Sequence, residues 1–304
     1  MKAGIIGAGK VGFSLGKYFR EHGIPVTGYY SRDPASAREA AAFTQTHFYE
    51  TAADIVRDSD TLFLTVPDGA IGKVWDDMGS LPVEGKNICH CSGSISSAVF
   101  FDAKERGAYC YSVHPLYAVS DKYTSWKELG RAMFTLEGSP AHLQEMAAVF
   151  RGMGNRVTVL EDAEKKTLYH AAAVMVSNQV AALASLGVEL LMQCGFTRQD
   201  AEIALGPLLA GNAEKIAKVG PIEALTGPVE RGDAETVRNH LAAMEDAAGM
   251  MAGMGDAADM TAIREIYTAL SRQLVSIAEK KHPDRDYTEL KTILNKDDRK
   301  EDQK

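Results

Sequence analysis

Six residues near the start of the chain, Gly7-Ala8-Gly9-Lys10-Val11-Gly12, carry the spacing G-x-G-x-x-G, and the chemistry that spacing serves is the cradling of a pyrophosphate. Gly7 permits a tight turn, Gly9 lets the backbone approach the phosphates without a Cβ, and Gly12 lets the following helix lie close on a strand. Free N–H groups at the start of that helix then face the anion. About 20 residues further on, where a dinucleotide's adenosine ribose is held, the chain reads Ser31-Arg32-Asp33. A hydroxyl followed by a guanidinium suits a 2′-phosphate, with which Arg pairs bidentately while stacking on the adenine. NADP(H) is therefore expected over NAD(H). Asp33 leaves two alternatives open, a bond to the ribose hydroxyl or an N-cap ahead of Pro34.

A nicotinamide that passes a hydride to C=O or C=N needs a nearby proton donor and a group that fixes the substrate. Two strand ends point at the same crevice: Thr65-Val66-Pro67-Asp68 and His90-Cys91-Ser92-Gly93. Val66, Pro67, Ser92 and Gly93 are the residues expected beside the cofactor, against the reading of ordinary turns. Lys166 and His170 are spaced i, i+4 and share a helix face, with Ser177 roughly on the same stripe and Asn178 beside it. These could hold a carbonyl oxygen, or they are a solvated lysine and a satisfied core histidine. His114-Pro115 follows the fifth strand, where an imidazole could bind a substrate oxygen or simply cap a turn. Arg231 could clamp a carboxylate, or pair with Glu230 or Asp233.

The elements that must position these residues alternate. The expected strands are Lys2–Gly7, Pro25–Tyr30, Thr61–Val66, Asn87–Cys91, Tyr109–Ser112, Ala132–Leu136 and Arg156–Leu160, and between them Val11–His22, Ala35–Phe43, Ala70–Met78 and His142–Gly152 read as helices. That is a doubly wound, mostly parallel α/β sheet of the Rossmann type, expected over residues 1–160. After Glu161 only helices follow: Ala163–Cys194, Arg198–Lys218, Ala234–Ala252 and Met260–Lys281. Gly220-Pro221 and the stretch Thr226 to Asp233 break them, and Asp233 stands where an N-cap belongs. A helical domain is thus expected over 161–294, with a disordered tail at 295–304 that has no apolar residue to bury.

Composition bounds the function. The chain has 304 residues, 45% hydrophobic and 24% charged, a length that favours two globular domains. Its net charge of -8 repels nucleic acid and anionic lipid, so a small-molecule partner in a local basic pocket is expected instead. Cys89, Cys91, Cys110 and Cys194 form no C-x-x-C pair, which suggests neither a disulfide framework nor a metal site and fits a cytoplasmic compartment. No secretory signal is read at the N-terminus. The most apolar window, Ala171–Met192, contains Ser177, Asn178, Gln179 and Glu189, costly in a bilayer, and is read as a buried helix of a soluble protein. The helical domain is expected to pair with a second copy.

Taken together, Gly7–Gly12, Tyr30 to Arg32, His90 to Gly93, Ser112 to Leu116, Tyr169 to Ala173 with Ser177-Asn178, and Leu225 to Pro228 with Arg231 to Asp233 resemble a widespread bacterial group of uncharacterised Rossmann-like oxidoreductases with a C-terminal domain of unknown function. The resemblance runs from Met1 to about Lys281 and implies the fold of an oxidoreductase; with the residues above, the expectation is NADP-dependent hydride transfer to a small carbonyl or imine acid bound between the domains. More distantly, the plan is similar to pyrroline-5-carboxylate reductase and to the 6-phosphogluconate and 3-hydroxyacid dehydrogenases. Resemblance to the last implies substrate-handling roles for Lys166 and, four residues on, His170, where that family has Asn. Resemblance to the first implies that Thr226 stands on a substrate loop, although the family's Ser-Pro-Gly-Gly-Thr-Thr pattern is absent. The His114-Pro115 pair is similar to one in prephenate dehydrogenases. A non-catalytic NADP(H) sensor and a deazaflavin-linked oxidoreductase remain as alternatives.

Overall fold

The computed structural model describes residues 1–251 and 260–295. The chain forms two compact units, Met1–Asn178 and Gln179 onward. The first holds an eight-stranded sheet in the order β3-β2-β1-β4-β5-β6-β7-β8, with β1 Ala3–Ile6, β2 Val26–Tyr30, β3 His47–Phe48, β4 Thr61–Leu64, β5 Asn87–His90, β6 Tyr109–Leu116, β7 Met133–Gly138 and β8 Arg156–Val159. Neighbours run parallel except β6 and β7. Strand order reverses between β1 and β4, and at such a switch point the carboxyl ends of the two strands diverge to leave a crevice.

Strands with both faces covered need no polar alternation, and β1 and β4 are buried at every residue. Five helices cover the sheet: α1 Lys10–Glu21, α2 Pro34–Thr44, α3 Ala52–Asp58, α4 Ile71–Asp77 and α5 Leu143–Gly152. Successive residues of β4 show the two layers. Phe63 joins Phe13 and Phe19 of α1 and Phe150 of α5, while Leu62 and Leu64 join Ile55 of α3 and Trp75 of α4. The expected strands and helices of this part are present. β3 and α3, two and seven residues long, are too short to show a periodicity in the sequence.

His114-Pro115 was expected beyond a strand but lies inside β6. Pairing with β5 stops at Ser112, so only β7 flanks the last residues of β6, and a proline without an N–H is tolerated there. The expected helix Ala163–Cys194 is also interrupted: α6 Lys166–Met175 and α7 Asn178–Gln193 are separated by a turn at Val176-Ser177. Ser177 Oγ donates back to the Ala173 carbonyl at 2.7 Å, a bond that competes with helix propagation. Ser177 therefore stands on a turn rather than on a continuous Lys166 stripe. The compact units divide at Asn178 rather than near residue 160, because α6 is tied to β6 through Lys166 and Tyr169.

The second unit is helical: α7, α8 Arg198–Ala224, α9 Pro228–Arg231, α10 Ala234–Met251, α11 Met260–Lys281 and α12 Thr288–Asn295. Gly220 (φ 81°) kinks α8 just before Pro221, and Asp233 caps α10 by accepting from the Thr236 N–H at 3.0 Å. Asn295, expected in a disordered tail, closes α12; residues 296–304 and the expected helix end at Ala252 lie outside the described residues. The main core of this unit comes from α9 to α12, around Val237, Val275, Tyr287 and Leu290, and a smaller cluster of Met244, Met260 and Ile263 has Leu186 and Leu190 of α7 packed against it. The window Ala171–Met192, expected to be buried, is not: Val188 is its one buried residue. By length and composition, the stretch Ala163–Gln193 could also cross a membrane.

Candidate functional site

The G-x-G-x-x-G turn links β1 to α1 as its spacing requires. Gly7 has φ +106°, and a Cβ there would sit 2.9 Å from Thr65 backbone atoms. At Gly12 a Cβ would meet the Gly7 carbonyl oxygen at 2.3 Å and Thr65 Oγ1 at 2.6 Å. Gly9 is different: its nearest neighbour would be Thr65 O at 4.0 Å, so the missing Cβ leaves open space for a ligand. Gly9 caps α1 without a side-chain bond, and no acidic residue stands in the first turn. A cavity of about 490 Å³ opens here, lined by Gly7–Gly9, Ser31, Arg32, Val66 and Pro67 among others. Lys10, Val11 and Gly12 do not line it; they begin α1, with Gly12 packed on the strand beneath. The residues present fit a dinucleotide.

Asp33 lines the same cavity and stands as the N-cap of α2. Its carboxylate accepts from the Ala35 N–H at 3.1 Å and the Ser36 hydroxyl at 2.5 Å, capping α2, and these bonds hold its pKa below the usual carboxylate range. Ser31 and Arg32 remain exposed or half-exposed on the cavity wall.

Around the ends of β5 and β6 the structure gathers the proposed reacting groups. Lys166 is 1% exposed, and its Nζ donates to Ser112 Oγ. That hydroxyl donates onward to the Ser92 carbonyl at 3.2 Å. His114 Nδ1 lies 2.7 Å from the Tyr169 hydroxyl, and the rings of His114 and His170 are 6.5 Å apart, nearly perpendicular. Gly93 is the floor beneath both: a Cβ there would fall 2.7 Å from His170 Cδ2 and 2.8 Å from His114 Nε2. Gly93 thus admits two imidazoles. Ser92 gives its hydroxyl to Asp68 at 2.8 Å, and Ser94 donates to the same carboxylate at 2.9 Å.

Electrostatics sort these groups. Burial pushes the Lys166 ammonium down from the usual lysine range, opposed by the nearby acids Glu137 and Asp68. Burial, reinforced by Lys166, pushes both His90 and His114 down to about 4, so both are neutral at pH 7. Burial raises the Tyr169 phenol. When that phenol donates to Nδ1, the imidazole hydrogen of His114 sits on Nε2, the atom nearest Gly93.

Of the other expected residues, Ser177 is exposed at the turn before α7 and Asn178 at the first residue of α7, and Thr226 and Arg231 belong to the second unit. Among the described residues Arg231 forms no close ion pair with either acid expected for it: Glu230 is taken by His282 and Arg285, and Asp233 holds the Thr236 cap, although the Arg231 charge adds to the lowering of its carboxyl. Sequence reasoning missed Asp68, Ser112, Tyr169 and Glu137. The signal for Tyr169 was its i, i+3 spacing from Lys166, and for Glu137 a lone acid in the apolar run Met133–Gly138. Among the described residues no His, Cys, Asp or Glu cluster could hold a metal ion, and the four cysteines are unpaired.

Residues 1–115 match the Rossmann-like domain model, and residues 132–274 match a domain of unknown function, DUF2520. The cluster draws on both matches, Ser92 and His114 from the first, Glu137, Lys166, Tyr169 and His170 from the second. No curated protein matches the chain. Among solved structures, protein TM1727 from Thermotoga maritima is 25% identical, with 92% of this chain and 99% of that one covered and a TM-score of 0.66. BF3122 from Bacteroides fragilis, provisionally classed as an NADP oxidoreductase, is 24% identical over 90% and 98% with a TM-score of 0.64. A reductive aminase from Aspergillus terreus, in complex with NADPH and ethyl-5-oxohexanoate, is 17% identical over 91% and 97% with a TM-score of 0.63. At the identities of the last two the likeness is one of fold. The chain thus carries a Rossmann-like domain over residues 1–115 followed by a DUF2520 domain over residues 132–274.

Proposed function

We propose that the chain is an NADP-dependent oxidoreductase acting on a small carbonyl or imine acid. The observation that carries this reading is the gathering of His114 and His170 about Gly93, with Lys166 held on Ser112, whose hydroxyl bonds the adjacent Ser92 carbonyl, in the same unit as the cavity at Gly7–Gly9. A bound NADP(H) would supply or accept the hydride through its nicotinamide. The chain's own residues do the rest. Gly7–Gly9 and the first turn of α1 receive the pyrophosphate, and Ser31 and Arg32 receive the 2′-phosphate, since Asp33 is spent on its helix. Lys166 has three N–H donors and gives one to Ser112, leaving others to polarise a substrate oxygen or pass it a proton. Neutral His114 orients that oxygen through Nε2, with His170 beside it. Ser177, Asn178, Thr226 and Arg231 are proposed as further substrate contacts, Arg231 for a carboxylate.

Support comes also from the fold shared with an NADPH-bound reductive aminase. The reading includes a cytoplasmic protein with unpaired thiols, no nucleic-acid or membrane partner, and a homodimer formed through the helical unit. The test is oxidation of NADPH against a panel of small keto acids and cyclic imines, for the parent and for Lys166→Met. Turnover by the parent is expected, with a loss of about 100-fold or more in the variant and NADPH affinity changed no more than a few fold. Undiminished turnover in Lys166→Met removes that residue from the mechanism. NADPH binding without turnover across the panel would favour a sensor.

A further inference from the structure

We propose that Glu137 is the buried counter-charge of Lys166, a positioning residue that keeps the ammonium protonated while it fixes the loop beneath the two imidazoles. Glu137 is 3% exposed. Its carboxylate accepts from the Ser97 N–H at 2.9 and 3.1 Å and from the Ser97 hydroxyl, anchoring the segment that carries Ser92 and Gly93. In the antiparallel pair of β6 and β7, Glu137 stands directly opposite Ser112. Opposite partners put their side chains on one face, with Cβ atoms about 4.5–5.5 Å apart. Ser112 is the residue that receives the Lys166 N–H, so the ammonium is held on the side chain that shares a face with the acid.

Among the described residues Lys166 has no direct ion-pair partner, yet a buried ammonium with no nearby negative charge gives up its proton. The groups that face it are Asp68 from the turn after β4, His90 and Cys91 from the end of β5, His114 from β6, Glu137 from β7, and Tyr169 and His170 from its own helix. Of these, His90 and His114 are neutral at pH 7, and burial pushes the Cys91 thiol up to about 12. Asp68 is shared between two serine hydroxyls. Glu137 heads the groups that oppose the loss of the Lys166 proton. The use made of that proton rests on the oxidoreductase reading; the pairing itself is a property of the folded chain.

The test is NMR of the full chain labelled with ¹³C at lysine Cε, with the Lys166 signal identified by its loss in Lys166→Met. Glu137→Gln keeps an oxygen for Ser97 and removes the charge. The Lys166 midpoint is expected to fall by about one pH unit or more, while the other lysines keep theirs. Ser97→Ala weakens the clamp, leaves the charge, and is expected to leave the midpoint at the parent's value. An unchanged midpoint in Glu137→Gln, or an equal fall in Ser97→Ala, overturns the proposal and reduces Glu137 to a loop clamp. Should Glu137→Gln not fold, the second measurement is the double variant Glu137→Gln with Lys166→Met. Removing both charges should recover folding that removal of the acid alone loses, and a double variant as unfolded as the single one contradicts the pairing. Neither measurement contains nucleotide or substrate, so failure of NADPH to bind would remove the oxidoreductase reading and leave this result standing.

Discussion

His90 and His114 stay neutral because the chain surrounds them with apolar atoms and a lysine, and that has a consequence for stability. The folded pKa of His90 is about 4 against an ordinary 6.5, so between those values the unfolded chain binds more protons than the folded one. Stability must then rise with pH across that window and be lost as pH falls from 6.5 toward 4. For His90, which is fully buried, the loss is roughly 3 kcal/mol when complete. His114 acts in the same direction, though the two share Lys166 and do not simply add. Urea unfolding at successive pH values should show this slope, flattened in His90→Asn; a variant with the parent's slope contradicts the assignment. Gly93→Ala is expected to displace both imidazoles, since its Cβ falls under 3.0 Å from each ring. The displacement would appear as shifted ring signals of His114 and His170 in NMR. Lys166 and His170 were legible as a pair because helix periodicity relates positions four apart. Glu137 was not, because its place opposite Ser112 depends on strand register, which no local pattern encodes.

At the scale of elements, the turn from β1 into α1 separates what folding needs from what a ligand needs. Gly12→Ala puts a methyl group 2.3 Å from a carbonyl oxygen and should lower the thermal unfolding temperature. Gly9→Ala meets nothing nearer than 4.0 Å, so it should unfold like the parent yet lose NADPH. A Gly9→Ala protein that still bound NADPH would show that the pyrophosphate does not lie there. Asp33→Ala should cost about 1 kcal/mol through the lost cap of α2 without weakening NADPH binding, which chemical denaturation and nucleotide titration together would establish. The sheet was legible from its apolar runs. The interruption after α6 was not, because Val176-Ser177 lies within a run of apolar helix formers and the Ser177 back-bond shows only in coordinates.

For the whole molecule, the sequence suggested a buried helix where the chain presents apolar surface. Leu183 of α7 and Ile203, Leu208 and Ile216 of α8 are 47–65% exposed, while the main core of the second unit is built from α9 to α12. Exposed apolar patches of this kind mark association sites, and light scattering should report twice the chain mass of 32.9 kDa. A monomer at micromolar concentration would contradict that expectation. The apolar count alone does not distinguish a helix buried inside the chain from one whose apolar residues stay exposed, which is why the sequence misplaced it. The central claim is that this molecule holds NADP(H) on Gly7–Gly9 with its 2′-phosphate at Ser31 and Arg32. Its most direct test is fluorescence titration with NADPH and NADH, repeated on Arg32→Ala. The account predicts tighter binding of NADPH, a loss of NADPH affinity of about tenfold or more in the variant, and little change for NADH. Binding of neither nucleotide, or NADPH binding that ignores the loss of Arg32, would contradict it.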